Sequence, residues 1–251
     1  MSDRHLPTIR LRTDSGDRRV STRLLQALKS GRWRIACVSA PLRGRNFAQL
    51  RAILGELNRA QDDALTQAMV NGIGLAPADG ADQNADWLQP ACVDAIARGL
   101  PAQAEAVLLQ AATRDRFGRC HWLQPMACRA WMRMRTAAHA DGIELELISS
   151  FRSFRQQRQI LERKLRQGQD WLQILRVSAA PGYSEHHTGC AVDLTTPGQT
   201  PLVEDFEHSP AYAWLASHAG EYGFSLSYPR GNRWGFAFEP WHWCFRTRGV
   251  S

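Results

Sequence analysis

The chain has 251 residues, 44% hydrophobic and 22% charged, a balance that suits a folded globular protein and excludes a disordered or collagen-like one. No run approaches the roughly 18–20 apolar residues of a membrane span. The first thirty residues, studded with Arg and Asp, lack the apolar core of a secretory signal, so the expectation is a cytoplasmic protein, or an exported one whose leader has been removed.

The net charge of +7 is concentrated at the front, where residues 1–60 carry thirteen Arg or Lys against four Asp or Glu. Such an arm reads as a solvated basic leader, with no nucleic-acid partner expected. The six cysteines form no Cys-x-x-Cys pair, which gives no support to a zinc ribbon or thioredoxin motif. They are also too sparse for a disulfide scaffold.

In chain order, residues 8–12 alternate like a short strand, 24–28 read as a short helix, and 33–38 as a strand. Apolar residues recur at helical spacing over 47–70, closed by Gly72. Residues 74–84 read as a loop, and 86–112 as helical with a break at Gly99-Leu100-Pro101. Residues 1–114 are therefore expected to be a mainly helical N-terminal extension of unassigned role.

Residues 124–141 then read as a helix stopped at Gly142, and 143–148 alternate as a strand with one buried face. A turn over 149–155 leads to a helix over 156–165. Residues 191–194 form a short strand and 211–222 a helix closed by Gly223. Strands over 224–228 and 236–245 follow, joined as a hairpin through 229–232. This mixture predicts an α+β domain over 115–251, a small mostly antiparallel sheet flanked by helices.

Three clusters carry chemistry. Ser184-Glu185-His186-His187-Thr188-Gly189-Cys190-Ala191-Val192-Asp193 packs imidazoles and a carboxylate into ten residues, donor types that suit a zinc first shell. Glu239-Pro240-Trp241-His242-Trp243 adds a carboxylate and an imidazole three apart. Residues so spaced face opposite ways in a regular strand, so a bend at Pro240 is expected to turn both into one cleft. With two donors from the first cluster and His242 as third ligand, a fourth position would stay open for water, with Glu239 as base. No His-Glu-x-x-His helix exists, which excludes the zincin arrangement. The third cluster, Ser149-Ser150-Phe151-Arg152-Ser153-Phe154-Arg155-Gln156-Gln157, offers Arg152 to a substrate carboxylate or an oxyanion.

Together and in this order, the clusters resemble the D-alanyl-D-alanine carboxypeptidase family of zinc peptidases. The matching residues are Ser149 to Ser153 with Gln157, then Ser184, His186, Gly189, Ala191 and Asp193, then Glu239, Trp241 and His242. The resemblance implies one catalytic Zn2+ on His186, Asp193 and His242, Glu239 and Arg152 as catalytic residues, and substrate contacts from Ser153, Gln157, Ser184 and Trp241. The implied substrate is a peptidoglycan stem peptide or muropeptide, cleaved to release C-terminal D-alanine. Alternatives on the same site are an L,D-carboxypeptidase, a D,D-dipeptidase or a phage-type endopeptidase; one from another class is a non-catalytic wall binder. Ser150, Phe151 and Cys190 stand where the family prefers Gly, Tyr and Leu, and His187 is expected behind the ligands or at the surface.

Overall fold

The computed structural model describes residues 33–35, 74–75, 86–106 and 108–246. The expectations for 8–12, 24–28, 36–38, 47–70 and 76–84 lie outside the described residues. Strand β1 (Trp33–Ile35) falls inside the expected strand, whereas β2 (Gly74–Leu75), expected as loop, pairs with β3 (Glu105–Ala106). The helical reading of 86–112 holds only in its first half. A 3-10 turn at Asp86–Leu88 leads into α1 (Gln89–Ala97), and the chain then turns extended as β4 (Leu108–Arg114). Its helix-favouring Leu, Gln and Ala are overridden by ladders on both sides, to β1 and to β5 (Cys120–Leu123).

Helix α2 (Pro125–Ala140) is the pillar of the main core. Gln124 caps it by accepting from the backbone N–H groups of Met126 and Ala127, and Pro125 at the first turn sacrifices no helical hydrogen bond. Ala127, Trp131, Met134 and Ala138 recur at helical spacing and are fully buried. They pack on one face of the sheet β6 (Glu146–Ser149), β7 (Ala191–Thr195), β9 (His242–Phe245), β8 (Phe224–Leu226), named in spatial order. The same core takes in α5 (Pro210–His218) with Trp214 and Leu215. The Trp214 indole N–H donates to Asp141 at the end of α2 over 2.7 Å, joining the two helices.

Along β7, Val192 and Leu194 enter the core, so the period-2 alternation turns Asp193 to the opposite face. On β9 Trp243 enters the core and His242 turns away. Between Leu147↔Leu194 and Ser149↔Asp193 the β6–β7 register gains one residue on β6. That bulge sets Ser149 opposite Asp193, while Asp193 lies opposite His242 on the next strand.

A second core joins α1 to α3 (Phe154–Arg166) and α4 (Trp171–Leu175) through Leu88, Ala91, Leu161 and Ile174, with Tyr228 and Phe236. The last two strands do pair, but no tight hairpin joins them. The intervening loop is fastened by Asn232, whose side chain donates to the Pro229 and Phe236 carbonyls. Arg98, at the end of α1, donates to the carbonyl of Trp234 and lies over the Phe236 ring. No helix among the described residues is long and apolar enough to cross a membrane.

Candidate functional site

His186, Asp193 and His242 converge on one buried point, each offering a ligand atom within 4.8 Å of the others. His186 arrives on a 3-10 turn (Glu185–Thr188) that ends at Gly189, whose φ of 67° is the left-handed conformation glycine tolerates best. There is no room for a larger residue either: a Cβ on Gly189 would lie 2.9 Å from the backbone nitrogen of Gln124. Asp193 and His242 come from paired positions on β7 and β9. Pro240 makes the expected bend, since the His242 N–H donates to the Glu239 carbonyl over 3.0 Å and closes a turn through Pro240 and Trp241. The turn leaves the Glu239 carboxylate 3.9 Å from His242 Nδ1.

The hydrogen-bond partners fix which atoms face inward. His186 Nδ1 lies 2.7 Å from the Ser150 carbonyl, which can only accept, so Nδ1 carries the hydrogen. Burial keeps this imidazole neutral. Its Nε2 lone pair therefore faces Asp193 Oδ2, another acceptor, at 3.2 Å. His242 Nε2 lies 3.0 Å from Glu185, so Nε2–H donates there and Nδ1 faces Asp193 Oδ1 at 3.0 Å. Two imidazole nitrogens thus aim at one buried carboxylate. Acceptors so opposed require a cation or added protons between them. Neutral imidazoles and a carboxylate with outer hydrogen bonds fit a divalent zinc ion.

Glu185 is the residue that sequence reading missed. It is buried, and its carboxylate accepts from His242, from the Ser227 hydroxyl at 2.5 Å and from Arg246 at 2.6 Å. Burial would raise its pKa, but these donors, His242 foremost, bring it to about 2. The only sequence signal was adjacency to His186, which does not announce a partner 57 residues away. Glu239 is poised oppositely: burial lifts its pKa to about 7, with partial relief from His242.

A cavity of about 630 Å³ opens on the three ligands, lined by Arg152, Ser184, Glu239 and Trp241 among others. Arg152 is steered by Gln157 Oε1 at 2.9 Å and Ser149 Oγ at 3.1 Å. Gln157 also lines the cavity, but its amide is committed at both ends, the nitrogen donating to the Ala179 carbonyl over 2.7 Å. Ser153, expected at the substrate, instead caps α3, its hydroxyl accepting from the Gln156 N–H, and it does not line the cavity. His187 is fully buried, donates from Nδ1 to the Arg152 carbonyl and accepts the Gly182 N–H at Nε2. It lies behind the site, and of its two expected locations the surface is excluded. Phe151 packs on Ala106 and Leu109 away from the cavity. The Ser150 hydroxyl is held between His121 and the Trp122 N–H. Among the described residues every cysteine is a free thiol.

An inward-facing His-Asp-His set beside a carboxylate of raised pKa, on a small antiparallel sheet, is the constellation of a metal-dependent hydrolase. Residues 120–248 match the family model described as VanY, D-alanyl-D-alanine carboxypeptidase, and the chain belongs to that family. It is 30% identical over 125 residues to the putative carboxypeptidase YodJ of Bacillus subtilis, covering 48% of this chain and 45% of that one. It is 30% identical over 136 residues to VanXYC of Enterococcus gallinarum, a bifunctional D-Ala-D-Ala dipeptidase and D-Ala-D-Ala carboxypeptidase, covering 51% and 68%. Among solved structures it is similar to the LdcB LD-carboxypeptidase, at 29% identity and a TM-score of 0.46 over 49% of this chain and 59% of that one. The chain thus spans a little under half of the first of these relatives.

Proposed function

We propose that this chain is a zinc metallopeptidase that hydrolyses C-terminal D-alanine from peptidoglycan stem peptides. His186 Nε2, Asp193 and His242 Nδ1 would hold one zinc ion. The observation that carries the reading is the orientation lock: Ser150 and Glu185 take the outer hydrogens of both rings and turn His186 Nε2 and His242 Nδ1 toward one carboxylate. Membership of the D-alanyl-D-alanine carboxypeptidase family supplies the substrate class.

When bound, zinc acidifies water and polarises a carbonyl. Glu239 accepts the proton of the attacking water and delivers it to the departing amine, a task suited to a carboxyl whose pKa burial has brought to about 7. Arg152 receives the terminal carboxylate of the substrate, oriented by Gln157 and Ser149. Ser184 and Trp241, on the cavity wall, contact the peptide. Gln157 and Ser153 act as positioning residues through Arg152 and the start of α3.

The test is mass spectrometry of a pentapeptide-stem muropeptide incubated with zinc-loaded protein. Loss of one D-alanine, stopped by a chelator and restored by zinc, is the expected result. Release of the D-Ala-D-Ala dipeptide, or cleavage of the tetrapeptide alone, would replace this specificity with dipeptidase or L,D-carboxypeptidase action. Tight binding of wall fragments without cleavage would establish the non-catalytic reading.

A further inference from the structure

The cavity holds more positive charge than the proposed hydrolysis uses. Among the described residues its only lining carboxylates are Asp193 and Glu239, whereas Arg119, Arg152, Arg163 and Lys164 line it as well. Arg119 is answered by Asp115 at 2.6 Å. Lys164 is not answered. Its ammonium makes one hydrogen bond, 2.7 Å to the neutral Ser178 hydroxyl, and no carboxylate among the described residues lies within ion-pair distance. An ammonium has three donors, so two are left to whatever enters the cavity. Lysine is also unusual in this chain, which has 29 arginines and only Lys29 and Lys164.

Lys164 shares one face of α3 with Gln157 and Ile160, both of which line the cavity. Seven residues of helix separate Lys164 from Gln157, the residue that steers Arg152, which is about 10 Å along the axis at 1.5 Å per residue. A peptide chain covers that distance in about three extended residues. The groups that sense Lys164 are Glu239, which favours its charge, and Arg152 and Arg163, which oppose it, while partial burial lowers its pKa. Its surroundings thus leave an anion wanting.

We infer that Lys164, anchored by Ser178 and flanked by Arg163, binds a second carboxylate of the substrate. This group is carried on the side chain of the residue preceding the two terminal alanines, so the preferred substrate ends in an amino-dicarboxylic acid followed by D-Ala-D-Ala. This rests on the proposed hydrolytic reading and adds a specificity-determining residue to it.

The experiment compares N-acylated X-D-Ala-D-Ala peptides in which X is 2-aminopimelic acid, its ω-amide, or lysine, using full-length protein verified to hold zinc. The free acid is expected to be cleaved with a kcat/KM about tenfold above the amide, equivalent to about 1.4 kcal/mol, and further above lysine. Lys164→Met should bring the acid-to-amide ratio to about one, and Lys164→Arg should restore it. Because the ratio is taken within each variant, a general loss of active protein cancels. A ratio near one in the unaltered enzyme, or a ratio kept in Lys164→Met, would overturn the assignment and leave the hydrolytic reading standing. Zinc-replete protein that cleaves none of the three would overturn the hydrolytic reading, and this inference with it.

Discussion

Replacing Glu185 by Gln tests whether the outer hydrogen bond on His242 governs the metal centre. The carboxylate takes three donors: the imidazole Nε2–H at 3.0 Å, the Ser227 hydroxyl and the Arg246 guanidinium. Glutamine fits the same space but loses the charge, and its amide nitrogen cannot accept. The ring then no longer has an anion holding its hydrogen on Nε2, and Nδ1 becomes a poorer, less oriented donor to metal. Losing such an outer partner typically costs 10–100-fold in metal affinity, about 1.4–2.7 kcal/mol on the tenfold-per-1.4 scale. Arg246 is exposed and recovers water, so it adds little. Competition for zinc against a chromophoric chelator measures the constant directly. Once zinc is saturating, turnover should recover most of its unaltered value, because Glu239 and Arg152 are untouched. A zinc affinity within twofold of the unaltered protein would refute the reasoning.

Glu239→Gln should lower kcat by about 10²–10⁴-fold while zinc content stays near one per chain; a loss of zinc instead would make Glu239 a ligand. Gly189→Ala forces an L-residue to φ 67° and sets its Cβ 2.9 Å from the Gln124 backbone. The left-handed conformation alone costs roughly 1–2 kcal/mol, so a free energy of urea unfolding unchanged to within about 0.5 kcal/mol, on the order of mutational noise, would contradict the crowding. Zinc uptake should release protons. Burial pulls the metal-free His242 pKa down, but hydrogen bonds to Asp193 and Glu185 overcome this and raise it to about 10. Below that pH the ring carries a proton that zinc must displace, so apparent affinity rises with pH through neutrality and flattens above about 10. Calorimetry at pH 7.5 in buffers of different ionisation enthalpy should find about one proton released per zinc, and none if His242 is already neutral.

The catalytic half of the fold was legible because its signals are local. Helix α2 announced itself through its stop at Gly142, and β7 was read as a short strand over 191–194. Pro240 announced the turn that lets Glu239 and His242 share a cleft. The strand before Arg152 was expected over 143–148 but pairs over Glu146–Ser149, because Glu146 already meets Thr195, the last residue of β7, which leaves 143–145 no ladder partner there. Strand β4 was misread as helix because its residues favour helix, and only ladders to β1 and β5 make it extended. The candidate ligands came from residue types together with the family resemblance. The outer contacts could not be read in that way, since Glu185 to His242 and Ser150 to His186 depend on which elements the topology brings together.

The match to the family begins at residue 120, yet the material that braces the cleft begins earlier. Arg98 fastens the loop that leads to Glu239, Glu105 accepts the Phe154 N–H at the head of the helix carrying Gln157 and Lys164, and Gln103 donates to Gly182 just ahead of the His186 turn. Leu88 and Leu109, both fully buried, fill two of the cores. The unit of descent and the unit of folding therefore have different borders here. A chain trimmed to the ancestral segment would keep every residue of the motif and lose the scaffolding that holds them at working distance.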